Sequence, residues 1–125
     1  MKARLAVVVI MVLLLTMVLT ASAQSTPGFT MTATAVPGGT KVTFTTMDES
    51  YYGGAYIIRN VWLGYYWQHI GPFLPAQYPG QQHGGRYSQV DTLQTFGVQI
   101  CYGLWWVDDH GGWYTWWPSP AVCAP

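Results

Sequence analysis

The sequence predicts an all-β domain in which seven short antiparallel strands form a two-sheet sandwich. β-Branched and aromatic residues recur in short runs from Phe29 onward, and glycine or proline separates each run from the next. No window keeps the period of an amphipathic helix. About seven strands in a domain of about 100 residues favour two packed sheets over a closed barrel.

Turn residues divide the chain into strands in a regular order. Residues 29–35 and 41–46 each alternate, and Pro37-Gly38-Gly39 between them predicts an opening hairpin. Residues 71–85 are expected to be irregular, because they hold three prolines and proline cannot donate to a sheet ladder. The other strands are expected at residues 55–62, 65–70, 86–91, 98–107 and 113–124, the last with a break at Pro118-Ser119-Pro120.

The first 23 residues have the layout of a secretory signal. Lys2 and Arg4 form a short positive region, residues 5–19 are almost entirely apolar, and Ala21-Ser22-Ala23 supplies the small residues that a signal peptidase reads. An uncleaved anchor helix is the alternative, but an apolar run of about 15 residues is shorter than the roughly 20 that span a bilayer. We therefore expect cleavage after Ala23, secretion with membrane contact only during export, a short lead at residues 24–28 and one domain at residues 29–125.

Without this segment the chain is weakly acidic and rich in aromatic residues. It keeps all seven Trp, nine Tyr and four Phe. Its formal charge is −2, from Lys41, Arg59, Arg86, Asp48, Glu49, Asp91, Asp108 and Asp109. Three cations cannot neutralise a phosphate backbone, so nucleic acid is not expected as a partner. Few charges among many apolar residues also argue against a disordered chain.

Two cysteines, Cys101 and Cys123, allow a single pairing if both are oxidised. A redox or metal site would need a closer pair or additional ligands, and an exported chain meets an oxidising environment. We expect a structural disulfide that closes a loop of roughly 22 residues and stabilises the fold by about 3 kcal/mol in the chain-entropy model.

A series of short strand motifs runs through the domain. The motifs are Tyr56-Ile57-Ile58-Arg59, Trp67-Gln68-His69-Ile70-Gly71, Tyr87-Ser88-Gln89-Val90-Asp91, Gly97, residues 100–108, Gly111-Gly112-Trp113 and residues 119–124. In this order they resemble the fibronectin type III family over roughly residues 29–124, most strongly from Tyr87 onward. The resemblance implies an immunoglobulin-like β-sandwich, with the first two motifs as third and fourth strands and residues 100–108 as the long sixth strand.

The chain also departs from that family. Phe44 stands in the second strand where members usually carry Trp, and the irregular stretch at residues 71–85 is longer than usual. The turn at residues 108–112 contains no Arg-Gly-Asp, so the family's integrin contact is not implied here.

Strand alternation assigns faces to the sixth strand. If residues 100, 102, 104 and 106 face the core, Cys101, Gly103 and Trp105 face outward. An inward Val122 likewise places Cys123 on the outer side, where it can bridge to Cys101. A buried Tyr102 would need a hydrogen-bond partner for its hydroxyl group.

The aromatic residues exceed what the core needs. The expected core is Phe44, Tyr56, Ile58, Ile70, Val90, Ile100, Tyr102, Leu104, Trp106 and Val122. Outward aromatic residues in a row suit sugar stacking or a protein interface, with Trp67 and one of Trp116 or Trp117 expected beside Trp105. The alternative is that they only pair across strands and shield the disulfide. The candidate ligand-binding residues are Trp67, Trp105, Trp113, Trp116, Trp117, Asp108 and Asp109.

Neither metal binding nor catalysis is expected. His69, His83 and His110 lie in separate segments, and only Asp108-Asp109-His110 groups ligand types, in what reads as a solvated turn. No nucleophile elbow, paired-carboxylate spacing or phosphate-binding glycine loop is present, so no enzyme activity and no cofactor are expected.

The first functional hypothesis is a secreted, non-catalytic binding or adhesion module that contacts a protein or carbohydrate ligand outside the cell. The contacts would come from outward aromatic side chains and the turn at residues 108–113. One alternative is a small carbohydrate-binding or glycosidase-inhibiting protein. Another is a structural subunit of a cell-surface assembly whose aromatic sheet packs against neighbouring subunits.

Overall fold

The computed structural model of the chain describes residues 26–61, 67–93 and 97–125. These residues form strands and turns and contain no helix, so the all-β prediction is confirmed. The strands are β1 (Thr30–Val36), β2 (Gly39–Thr45), β3 (Tyr52–Val61), β4 (Trp67–His69), β5 (Leu74–Pro75), β6 (Arg86–Asp91), β7 (Ile100–Asp108), β8 (Trp113–Trp116) and β9 (Val122–Cys123).

The predicted signal and its cleavage site, residues 1–23, lie outside the described residues. Among the residues that are described, no helix is long and apolar enough to cross a membrane.

Two antiparallel sheets pack around one core, as in a β-sandwich. The first sheet has the strand order β1-β2-β6, and the second has the order β4-β3-β7-β8, with β5 beside β3 and β9 beside β7. The first sheet contributes Met31, Val42, Phe44 and Tyr87 to the core, and the second contributes Tyr52, Ala55, Ile57, Ile100, Tyr102 and Leu104. The inner faces of both sheets are therefore apolar, as burial requires.

The strands lie where the sequence predicts them, with ends shifted by up to three residues, but the strand count differs. Residue 62 of one predicted strand and residues 65–66 of the next lie outside the described residues. The sequence predicted seven strands, whereas the described residues form nine. One extra strand is the two-residue β5, which lies inside the stretch expected to be irregular and pairs with Gly54 and Ala55 of β3. The other arises because the last predicted strand divides into β8 and β9 where the proline break was expected.

The predicted faces of β7 are confirmed. Ile100, Tyr102 and Leu104 lie in the core, and Trp106 is half-buried against it. Cys101 and Cys123 lie opposite each other in the register of β7 and β9 and form the predicted disulfide.

Three expected core residues point the other way. Val90 is 46% exposed, because Tyr87 and Asp91 are the buried residues of β6 and Val90 alternates with them. Tyr56 also faces outward, because its neighbours Ala55 and Ile57 belong to the core. Ile58 shares the face of Tyr56, yet it is fully buried, so the outer side of the second sheet has an apolar layer of its own.

An ion pair joins the two sheets. Asp91 of β6, only 1% exposed, accepts hydrogen bonds from Arg59 Nη1 (2.6 Å) and from the Tyr102 hydroxyl (2.9 Å). This supplies the partner that a buried phenol requires. Burial, reinforced by the bond to Asp91, raises the pKa of Tyr102 to about 12.

A second buried carboxyl group holds the irregular stretch against the sandwich. Glu49 is fully buried, and its Oε2 accepts hydrogen bonds from Thr46 Oγ1 (2.7 Å) and the Tyr87 hydroxyl (2.6 Å). Its Oε1 accepts one from the backbone N–H of Tyr78 (2.7 Å). The carboxyl group thus ties residues 76–85 to the end of β2 and the start of β6. Burial, reinforced by the bond to Glu49, raises the pKa of Tyr87 above its usual range.

Candidate ligand-binding face

The outer side of the second sheet carries a continuous group of aromatic side chains. Alternation in β3, β4, β7 and β8 brings most of these to one surface, and Phe73 and Trp117 join it from adjoining segments. We call this surface the outer aromatic face and define it as Tyr56, Trp67, His69, Phe73, Trp105, Trp113 and Trp117.

Strand register places these residues beside one another. Tyr56 of β3 lies directly opposite Trp105 of β7. On the other side of β3, Ile58 pairs with His69 and Asn60 pairs with Trp67, so both of these β4 residues point to the same side as Tyr56. Cross-strand neighbours of this kind lie close enough for large rings to pack together.

Most of the rings stand in a stack. Tyr56 is 4.6 Å from the ring of His69 and 5.5 Å from that of Trp105, with interplanar angles of 28° and 22°. Trp113 continues the stack at 4.4 Å from Trp105, and Phe73 lies 5.3 Å from Tyr56. The faces of Tyr56 and Trp105 therefore lie against neighbouring rings.

Two tryptophans are arranged differently. Trp67 is 5.2 Å from Trp105 but tilted by 51°, so it does not continue the stack. The six-membered ring of Trp117 lies over Gly103, where a Cβ atom would be 2.5 Å from its Cε3. The outer side of Trp117 remains open, and the residue is 39% exposed.

The outward strand positions of this sheet carry no formal charge in the described residues. They are Gly54, Tyr56, Ile58, Asn60, Trp67, His69, Pro75, Cys101, Gly103, Trp105, Val107, Trp113, Thr115 and Cys123. The nearest acidic residues, Asp108 and Asp109, belong to the turn at one end of the face. The face thus offers rings, an imidazole, an amide and a hydroxyl group, with little electrostatic attraction for charged ligands.

The turn at residues 108–112 is braced from within. Asp108 Oδ1 accepts hydrogen bonds from the backbone N–H groups of Gly112 (2.8 Å) and His110 (2.9 Å), and Oδ2 accepts one from the Tyr114 hydroxyl (3.0 Å). The bond from Gly112, with smaller contributions from His110 and Tyr114, lowers the pKa of Asp108. Ligand atoms of Asp108, Asp109 and His110 lie within 4.8 Å of one another, but these internal bonds account for the positions of the Asp108 oxygens.

Of the two adjacent tryptophans, Trp117 joins the outer aromatic face and Trp116 does not. Trp116 pairs with Leu104, so it faces the core side, where its ring lies 5.2 Å from that of Phe29. There it lines an open pocket of about 460 Å³ together with Thr26, Gly28, Phe29, Trp106, Tyr114 and Thr115. Trp116 is therefore not part of the outer aromatic face, and its expected role in ligand binding stays a prediction.

The structure brings Trp67, Trp105, Trp113 and Trp117 together as predicted, and it adds three residues that the sequence did not single out for binding. The outward orientation of Tyr56 follows from its register with Trp105, and no sequence pattern within β3 indicates that register. His69 follows from sharing a face with Trp67 in β4. Phe73 comes from the irregular stretch, and no sequence signal assigned it to a face.

A scan against protein families finds no match for this chain, and searches of curated proteins and of solved structures find none either.

Proposed function

We propose that this chain is a secreted, non-catalytic binding or adhesion module of the fibronectin type III kind, which contacts its ligand through the outer aromatic face and the turn at residues 108–113. The observation that carries the proposal is the clustering of seven aromatic and imidazole rings on one side of one sheet. Burial of apolar surface would supply the affinity, with little electrostatic steering.

The exposure of this face supports a role in binding. Trp113 is 43% exposed and Trp117 is 39% exposed, although each is large enough to serve as a core residue. Clustered exposed aromatic residues mark interaction sites more often than single exposed residues do. Tryptophan and tyrosine are also the residues that most often dominate binding energy at interfaces.

The fold and the disulfide agree with the rest of the proposal. The motifs that resemble the third, fourth and sixth strands of the family lie in β3, β4 and β7. The disulfide between Cys101 and Cys123 is compatible with an extracellular location, because such bonds persist in oxidising compartments.

Sedimentation of the exported chain with envelopes of the cells that produce it tests this function. The double variant Trp113→Ala/Trp117→Ala should bind the envelopes about ten-fold more weakly than the wild type. The control Met47→Ala/Val90→Ala removes exposed apolar side chains outside the face and should bind as the wild type does. No envelope binding, or equal binding by both double variants, would contradict the proposal.

A further inference from the structure

We propose that the ligand of the outer aromatic face is a neutral polysaccharide, whose sugar rings stack on Trp117 and Trp67. This inference rests on the proposed function, because it names the ligand class of the same face. Three observations carry it: which rings keep a free face, the absence of charge at the outward positions, and the distance between the two tryptophans across the sheet.

The ring geometry distinguishes two kinds of ring: platforms, on which a sugar ring can stack, and supports, which pack beside the platforms. Tyr56 and Trp105 each pack against neighbouring rings, so they present mainly their edges to a ligand. Trp117 covers Gly103 with one side of its indole and leaves the other side open. Trp67 is tilted out of the stack. A pyranose ring with equatorial substituents has C–H faces, which pack on the π-face of an indole rather than on its edge.

The lack of charge favours a neutral ligand. No outward strand position of this sheet in the described ranges carries Lys, Arg, Asp or Glu. Here the exposed polar groups next to the rings are the imidazole of His69 and the hydroxyl of Thr115, which can donate to or accept from sugar hydroxyl groups.

The spacing of the platforms favours a chain of sugars over a single sugar. Trp67 lies on β4, and the ring of Trp117 lies over Gly103 of β7, which is two strands away in the order β4-β3-β7-β8. Two strand spacings amount to about 10 Å, which exceeds the length of one sugar ring. One chain crossing the strands can therefore contact both tryptophans, with Trp105 and Tyr56 beneath it.

The test uses the exported chain with insoluble cellulose and chitin, and soluble oligosaccharides of each as competitors. At least one polysaccharide should retain the wild type, and Trp117→Ala and Trp67→Ala should each weaken retention by about ten-fold. Tyr51→Ala removes an exposed ring outside the face and should have no effect. Retention should also be the same at low and high salt, because the proposed contacts involve no ion pair.

Circular dichroism of each variant separates lost binding from lost folding, and Trp117→Leu replaces Trp117→Ala if the latter unfolds. Carboxymethylated cellulose should not bind more tightly than cellulose. Tighter binding to the charged polymer, or retention that falls steeply with salt, would overturn the inference.

The envelope assay distinguishes failure of this inference from failure of the proposed function. If the ligand is a polysaccharide, envelope binding should survive protease treatment of the envelopes and be competed by the matching oligosaccharide. If protease abolishes envelope binding and neither polysaccharide retains the chain, the ligand is a protein, and only this inference falls. If the chain instead dimerises through the face, as judged by sedimentation of wild type and Trp117→Ala, the occupant is a second copy and the inference is also overturned.

Discussion

The indole of Trp117 occupies the space above Gly103 that a side chain would otherwise fill. A Cβ atom at Gly103 would lie 2.5 Å from Cε3 of Trp117 and 2.6 Å from the carbonyl oxygen of Trp116. Gly103 is the cross-strand partner of Ile58, which is fully buried although it faces outward. The glycine therefore allows Trp117 to close over the apolar layer of the second sheet while leaving one indole face open.

Gly103→Ala should displace Trp117 and loosen the pairing of β7 with β8. We expect the free energy of unfolding to fall by about 1–3 kcal/mol, the usual cost of forcing extra volume into a packed site. Denaturant unfolding followed by tryptophan fluorescence measures this loss. Ser88→Ala, at an exposed position of the first sheet, is the control and should change stability by less than about 0.5 kcal/mol. Equal stability of wild type and Gly103→Ala would show that Trp117 does not lie over Gly103.

Removing the carboxylate of Asp91 should destabilise the sandwich strongly. Asp91→Ala leaves Arg59, half-buried between the sheets, without the ion pair at 2.6 Å. We expect a loss of about 3 kcal/mol or more, because breaking a buried pair leaves an uncompensated charge. Tyr102→Phe removes one hydrogen bond to the same carboxylate and should cost about 1 kcal/mol. Chemical denaturation measures both values, and a smaller effect for Asp91→Ala than for Tyr102→Phe would contradict this ordering.

Stability should decline at alkaline pH because of the buried tyrosines. Burial raises the pKa of Tyr102 from 10.0 to about 12, and it also raises the pKa values of Tyr52 and Tyr87. Between pH 10 and about pH 12 the unfolded chain loses phenolic protons that the folded chain keeps. The free energy of unfolding therefore falls as pH rises. Below pH 10 this contribution is fully present.

Alkaline titration of tyrosinate absorbance, together with unfolding at each pH, tests this dependence. Tyr102→Phe should reduce the slope of stability against pH in this window, whereas Tyr51→Phe, at an exposed position, should leave it unchanged. A stability that stays constant up to pH 12 would contradict the burial of these hydroxyl groups.

Glu49→Gln should release the stretch at residues 76–85. Glu49 Oε2 accepts from two hydroxyl groups, and an amide nitrogen in its place would face donors instead of accepting from them. With Oε1 replaced by the amide nitrogen instead, the N–H of Tyr78 would lose its acceptor. We expect a loss of about 2–3 kcal/mol and faster hydrogen exchange at the amide of Tyr78. Asp109→Asn is the exposed control, and unchanged exchange in Glu49→Gln would contradict the role of the carboxyl group.

The strands could be predicted because glycine and proline separate most of them, and the faces of β7 follow from simple alternation. The side of the sheet on which Tyr56 lies could not be predicted. Ala55, Tyr56, Ile57 and Ile58 are all apolar, so no alternation marks the inner side. Only the pairing of Tyr56 with Trp105 decides its orientation. Trp116 and Trp117 pose the same problem, since adjacent residues point to opposite faces and the register with Leu104 selects between them.

The buried carboxyl groups were also beyond prediction from the sequence. Asp91 and Glu49 read as surface residues, because acidic side chains are seldom fully buried without partners. Their partners come from distant segments, Arg59 and Tyr102 for Asp91 and Tyr78 and Tyr87 for Glu49. Such pairings depend on the packing of the two sheets, which no local pattern records.

The most direct test of the binding role is oxidative footprinting of the exported chain, free and bound to cell envelopes. Bound ligand should protect Trp67, Trp113 and Trp117 from hydroxyl-radical labelling, while Met47, exposed and outside the face, should be labelled equally in both states. Mass spectrometry of the peptides reads out each residue. Unchanged labelling of these tryptophans in the bound chain, with protection elsewhere, would show that the outer aromatic face does not contact the ligand.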